Sequence, residues 1–269
     1  MPQQRPSANG MQARSDKSIF RHVAAPAPRY MMRLALVEKL ICRISEPVVR
    51  FAEIGPGLGD TSLFLSEMFP EAKGDLIELS GESASLLELR TASINGLSVL
   101  NGDFRDLPLQ DGYDLVIACE VFEHLQNDDS AFDAVNRLLK PGGYFLLSVP
   151  AFMHKWQAAD EYAGHFRRYE RDQLAQKLVT RKLDIHEFWC YGFPVTHLLA
   201  LPYRIYYNKQ LRDRPLPKTE ATKRSGAERS LARKLNRLPI STLMSPFFFL
   251  QNMVKATNVG DGYLVLARK

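Results

Sequence analysis

Between residues 48 and 192, short and almost continuously apolar runs alternate with longer stretches in which apolar residues recur every three or four positions. The first kind reads as strands buried on both faces of a sheet, the second as helices that lay one apolar face on it. VVRFAEIG (48–55), GDLIELS (74–80), LSVLNGD (97–103), YDLVIACE (113–120), YFLLSVP (144–150) and LDIHEFWCYG (183–192) are the six predicted strands. Helices are predicted between them over 60–69, 81–93, 128–140 and 171–182, after a leading helix over 29–44. Asp128 or Asp129 is suited to cap the helix at 128–140, and Pro141-Gly142-Gly143 to stop it. Strands and helices that alternate in this way build an α/β fold around a parallel sheet.

A seventh strand, GDGYLVLARK (260–269), is entered through a Gly-Asp-Gly turn. The span 193–259 before it is too long to be a loop that joins neighbours. The organisation predicted is a flexible tail over 1–28, a core over 29–192, a basic helical insertion over 193–259, and the final strand of the core over 260–269.

Composition adds little to this picture: 45% hydrophobic and 24% charged residues exclude a largely disordered chain. Cys42, Cys119 and Cys190 form no CxxC pair and are odd in number, which points to a reducing, cytoplasmic compartment and against a disulfide framework. The first thirty residues carry five basic side chains and one acid without an apolar core segment, so no secretory signal is visible. That scarcity of acids resembles an organelle transit peptide; a solvated tail is the plainer expectation.

Charge changes the picture more. Between Arg204 and Arg237 eleven Lys or Arg face three acids, a net +8, so the rest of the +5 chain is net −3. Flanking this stretch, FPVTHLLALPYRIYY (193–207) and ISTLMSPFFFLQNMV (240–254) are apolar, interrupted by proline, and too short to span a bilayer. Three uses are open for them: a lid presenting Phe247, Phe248, Phe249 and Leu250 to an apolar acceptor, a peripheral membrane contact, or packing against the sheet edge. Nucleic acid is the rival partner of a basic stretch; with no RNA-recognition motif in the segment we do not expect it.

The chemistry begins at FAEIGPGLGD (51–60), which follows a strand and opens a helix. Gly55, Gly57 and Gly59 let a ligand lie against bare backbone at a helix N-terminus. Glu53, just ahead of them, would repel a diphosphate but attract an ammonium group. Glu78 closes the second strand, where a carboxylate accepts both hydroxyls of a ribose. Asp103 closes the third, placed to accept from an exocyclic amine while Phe104 covers an adenine face. Ammonium, ribose and adenine in this order describe S-adenosylmethionine.

With FAEIGPGLGD, DLIELS, NGDFRDLP, YDLVIACEVFEHL and LLKPGGYFLLSVP in that order over about residues 45–150, the chain resembles a class I S-adenosylmethionine-dependent methyltransferase. The resemblance implies a Rossmann-like, seven-stranded sheet with helices on both faces, the last strand antiparallel between the fifth and sixth. It also implies transfer of a methyl group, which we expect to reach an oxygen of a small or lipid/glycan-linked acceptor. A metal-dependent RNA 2′-O-methyltransferase and a non-catalytic cofactor-binding scaffold are the alternatives.

At the acceptor end, Glu120, Glu123 and His124 fall at i, i+3 and i+4 beyond the fourth strand, which places them on one face of a short helix. Glu120 is assigned to the cofactor, and His124 is a candidate to accept a hydroxyl proton. DEYAGHFRRYERDQL (160–174) is similar to the substrate-facing GHxRxY stretch of many family members, which implies His165 near the acceptor and Arg167, Arg168 and Tyr169 in its binding. Glu120, Glu123, His124 and His165 are also a donor set that Mg or Mn accepts. Transfer without a metal is favoured, and no metal ligand is assigned.

Overall fold

The predicted strands assemble into one mixed sheet in a computed structural model that describes residues 17–108, 112–213, 220 and 240–269. They are β1 (Arg50–Ile54), β2 (Lys73–Glu78), β3 (Leu97–Asn101), β4 (Tyr113–Cys119), β5 (Leu139–Pro150), β6 (Asp184–Tyr191) and β7 (Gly262–Arg268). The order across the sheet is β3-β2-β1-β4-β5-β7-β6. All neighbours are parallel except β7, which runs antiparallel to both β5 and β6, with Leu264 opposite Ser148 on one side and Trp189 on the other. The chain winds outward in one direction from β1 and in the other from β4, so the crevice at their carboxyl ends is the place where such a sheet binds ligands.

Two apolar layers fix the helices. On one face, α1 (Pro28–Ile41), α2 (Asp60–Met68) and α3 (Gly81–Thr91) bury Leu34, Leu36, Phe64, Leu65 and Leu87 against β1 and its neighbours. On the other, α4 (Asp129–Leu138) and α6 (Arg171–Val179) bury Phe132, Val135, Leu138, Leu174 and Leu178. α4 shows why the pattern was readable: Ala131, Phe132, Ala134, Val135 and Leu138 are buried together on one helical face. Its expected cap is different in detail. Asp128 occupies the cap position but makes no capping bond, because Arg167, Tyr169 and Lys177 all bond to its carboxylate. Pro141-Gly142-Gly143 lies inside β5, which starts at Leu139.

Order begins earlier than the predicted tail boundary at residue 28. Residues 19–22 form a 3-10 turn capped by Ser18, and Ile19 is buried, its amide donating to Glu38 of α1. An apolar residue inside a basic stretch anchors this part of the chain to the core. Residues 1–16 lie outside the described residues.

The insertion contributes α7 (Val195–Leu198), α8 (Ala200–Asp213) and α9 (Ile240–Val254), and most of the basic stretch lies outside the described residues. α8 packs on the short α5 (Ala158–Ala163). α9 packs on α1, where Gln251 is buried with its Nε2 donating to Met32 O at 2.8 Å and its Oε1 accepting from Gly192 N at 2.7 Å. Phe247 to Leu250 therefore do not line the cavity as a lid, which was one of the three uses open for them. The helical period turns Phe247 and Phe248 toward α1 with Ile240 and Met244, and Phe249 and Leu250 toward solvent. No helix among the described residues is long and apolar enough to cross a membrane.

Candidate active site at the carboxyl edge of the sheet

A cavity of about 1530 Å³ opens over the carboxyl ends of β1, β2 and β4. Typical small-molecule sites take roughly 300–1,000 Å³, so this one has room for a cofactor and an acceptor together. Glu53, Gly55, Gly57, Glu78, Asp103, Phe104, Glu120, His124, His165 and Arg168 line it; Gly59, Arg167 and Tyr169 do not.

At one end the acids stand at successive strand ends. Glu53 is buried on β1, with the Ser62 hydroxyl donating to its Oε2. Burial pushes its carboxyl up to about 7, and the hydrogen bond from Ser62 opposes this only in part. Glu78 accepts from Ser80 N at 3.0 Å and from Gly57 N at 3.3 Å, so the ribose candidate also braces the glycine loop. Asp103 is held by Arg105, whose Nε and backbone amide each donate at 2.9 Å; these bonds hold its carboxylate below the usual range. Gly59 serves the loop itself. It caps α2 in the left-handed region at φ +74°, and a Cβ there would stand 2.5 Å from Leu87 Cδ1.

Two residues that the sequence reading missed come from α1. Arg29 donates to Glu120 Oε2 at 2.8 Å, to Asp261 Oδ2 at 3.0 Å and to the Tyr191 hydroxyl at 3.1 Å. Arg33, one turn on, is buried beside Glu120 at 3.7 Å, and its Nε has no hydrogen-bond partner. Two arginines at i and i+4 on an otherwise apolar face were the available signal. Glu120 is thus committed to the protein: burial alone would raise its carboxyl, but Arg29 and Arg33 hold it well below the ordinary carboxylate range. It also accepts from Tyr191 and Ser148 and sits at φ +59°, a conformation that a non-glycine residue holds only where its surroundings enforce it.

At the other end Glu123, His124 and His165 converge. The imidazole rings lie 4.7 Å apart and nearly perpendicular, and one ligand atom from each of the three residues falls within 4.8 Å of the others. The short helix expected here is a 3-10 turn, Phe122–His124, which aims Glu123 and His124 at His165 and leaves Glu120 facing α1. Burial pushes His124 down to about 3, with His165 adding to the effect, so this ring is neutral at ordinary pH. Glu123 is fully buried, neither of its carboxyl oxygens has a hydrogen-bond partner among the described residues, and burial followed by the nearby Glu120 drives its pKa well up.

His165 is oriented by Asp160, another residue the sequence reading passed over. Asp160 Oδ1 stands 2.9 Å from His165 Nδ1, leaving Nε2 directed toward Glu123 at 3.8 Å. Burial would raise Asp160, yet His165 and Arg168 hold its carboxyl low. Arg168 is spent in doing so, donating to Asp160 at 2.9 Å, to Asp261 at 3.0 Å and to Ala151 O at 3.1 Å. Arg167 and Tyr169, assigned to substrate by resemblance, instead reach Asp128 at 2.6 and 2.8 Å. The outer wall is the face of α8 that carries Tyr203, Tyr206 and Tyr207, with Leu201 at the rim.

Residues 52–147 match the family model described as a methyltransferase domain. The malonyl-[acyl-carrier protein] O-methyltransferase 2 of Ilyobacter polytropus is 31% identical over 39% of this chain and 40% of its own length. The fatty-acid O-methyltransferase of Mycolicibacterium smegmatis is 33% identical over 36% and 35%. The chain thus spans less than half the length of these curated relatives. Geranyl diphosphate C-methyltransferase from Streptomyces coelicolor A3(2), solved with S-adenosyl-L-homocysteine, superposes with a TM-score of 0.54 over 88% of this chain and 76% of that one, at 14% identity. Residues 52–147 are thus similar to a methyltransferase domain, and the seven-stranded topology around them is the fold shared with this solved methyltransferase.

Proposed function

We propose that the chain methylates an oxygen of a small or lipid-linked acceptor, using S-adenosylmethionine as donor. The observation that carries this reading is a single cavity with three acids at successive strand ends on one side and the Asp160–His165 pair on the other. The residues present fit the donor: Glu53 is a buried carboxyl in want of a cation, and Arg33 Nε a buried donor in want of an anion. Those two would hold the amino and carboxylate groups, Glu78 the ribose, and Asp103 and Phe104 the adenine. When bound, the donor supplies an electrophilic methyl on sulfur and leaves as a neutral thioether.

The chain's own contribution is alignment and one proton. Holding acceptor oxygen, methyl and sulfur in line accounts for most of the acceleration such a site provides. His165 takes the acceptor's proton at Nε2, and Asp160 fixes the ring for that task. His124, neutral and buried, forms the wall beside it. The tyrosines of α8 give the acceptor end an apolar body with polar tips, which suits an acyl or isoprenoid chain. The acyl and fatty-acid substrates in the names of the two curated relatives support an acceptor of this kind. Cys42, Cys119 and Cys190, present as thiols rather than disulfides, are in keeping with a cytoplasmic setting.

The test is methyl transfer from donor labelled with a CD3 group to fractionated lipids and small acids, read by mass spectrometry as a gain of about 17 mass units per methyl. His165→Ala should lower labelling about 10²-fold or more while keeping donor binding. A folded protein that binds donor and labels no fraction would favour a non-catalytic role. A metal-assisted version of the reaction has one observation in its favour, the unpartnered Glu123 carboxyl within 4.8 Å of two imidazoles. In that case chelation abolishes transfer and Mg or Mn restores it.

A further inference from the structure

α9 is a 15-residue helix, ISTLMSPFFFLQNMV, without a single charged side chain, and the described residues cover only part of its circumference. Ile240, Met244 and Gln251 are buried toward α1, whereas Leu243, Phe249 and Met253 are 71%, 66% and 68% exposed. A helix at a water-facing surface ordinarily carries charge on its outer side. The same feature recurs at the start of the insertion, where Leu198 and Ile205 are 64% and 63% exposed and Leu201 follows the same side. The bases of the two pieces meet in one cluster, through Val195 and Leu199 on one side and Ile240 and Met244 on the other.

We propose that these two outer faces lie in the interface of an anionic lipid bilayer. Charge selects this occupant. Arg204, Lys209 and Arg212 lie on α8, and the sequence between Arg204 and Arg237 is net +8. An anionic surface complements that charge, while a second copy of the chain would bring the same charge against it. Neither face is long enough to span, so the helices rest at the headgroup level with their apolar sides inward. The inward side of α8 forms the outer wall of the cavity, so an acceptor carried in the membrane reaches His165 along that helix. Only this last step rests on the proposed lipid-linked acceptor.

The test is co-sedimentation of the full chain, without donor, on phosphatidylcholine vesicles with and without about 30% phosphatidylglycerol. Binding to the anionic vesicles is expected, weakened as NaCl rises from about 0.1 to about 0.5 M. Leu243→Glu/Phe249→Glu and Leu198→Glu/Ile205→Glu should each weaken it about tenfold or more, with circular dichroism unchanged. No binding to anionic vesicles, binding unaffected by either double variant, or a dimer in light scattering that the variants dissolve would each overturn the proposal. Calorimetry with the donor keeps the two readings apart. Donor binding without vesicle binding sinks the membrane contact alone, and vesicle binding without donor binding sinks the methyltransferase reading alone.

Discussion

Glu53, the penultimate residue of β1, is a buried carboxyl whose pKa burial has raised to about 7. In the unfolded chain such a group titrates near about 4.3. Between those pH values the folded protein holds a proton that the unfolded chain has released, so this group costs stability as pH rises through the window. The donor-free protein should therefore lose on the order of 3 kcal/mol of stability between about pH 4.5 and pH 7 that Glu53→Gln does not lose, read as the difference of their unfolding free energies across pH. Saturating S-adenosylmethionine should flatten the slope, because an ammonium group favours the ionised form. Asp160 acts through His165, and Asp160→Asn should lower kcat roughly 10- to 100-fold, shift the pH–rate profile, and leave the donor's affinity unchanged. Tyr169→Phe should cost about 1–3 kcal/mol of stability with donor affinity intact, because it removes a buried hydrogen bond to Asp128 rather than a substrate contact. The acids at 53, 78 and 103 were legible because each sits at the end of an apolar run. Arg33 and Asp160 were not, because they reach the cavity only through packing between distant parts of the chain.

The glycine loop and the insertion mark the limits of legibility for whole elements. Turn-and-helix spacing located the loop, and the structure adds what each glycine must avoid: a Cβ at Gly55 would stand 2.6 Å from Val121 Cγ2, and one at Gly59 2.5 Å from Leu87 Cδ1. With φ positive at both, Gly59→Ala should cost about 1–3 kcal/mol in chemical denaturation and weaken donor binding. α9 was legible as an apolar piece but not in its orientation. A helix that is apolar all round has no single face for periodicity to point to, and its partner on α1 lies more than two hundred residues away. The resemblance-based roles of Arg167 and Tyr169 failed to place them on the cavity for a related reason. A charge run between strand and helix serves equally well to tie a loop to Asp128 as to face a ligand.

For the molecule as a whole, one arrangement relates fold to function: the winding direction of the sheet reverses between β1 and β4, and Glu53, Glu78, Asp103, His124 and His165 all line the cavity at that crevice. The helices on both faces were expected because nearly continuous apolar strands dictate a sheet covered on each side, whereas the antiparallel β7 was implied only by the resemblance. The number +8 was legible too, but its partner was not, because charge in a sequence names no surface. The central claim is that the three strand-end acids grip one cationic, ribose-bearing purine. Isothermal calorimetry with S-adenosylmethionine and S-adenosylhomocysteine tests it most directly, on the folded parent and on Glu78→Ala. Saturable heat from both ligands on the parent, and at least about tenfold weaker binding on the variant, is the expected result. No heat from the folded parent, or equal affinity in the variant, would contradict it.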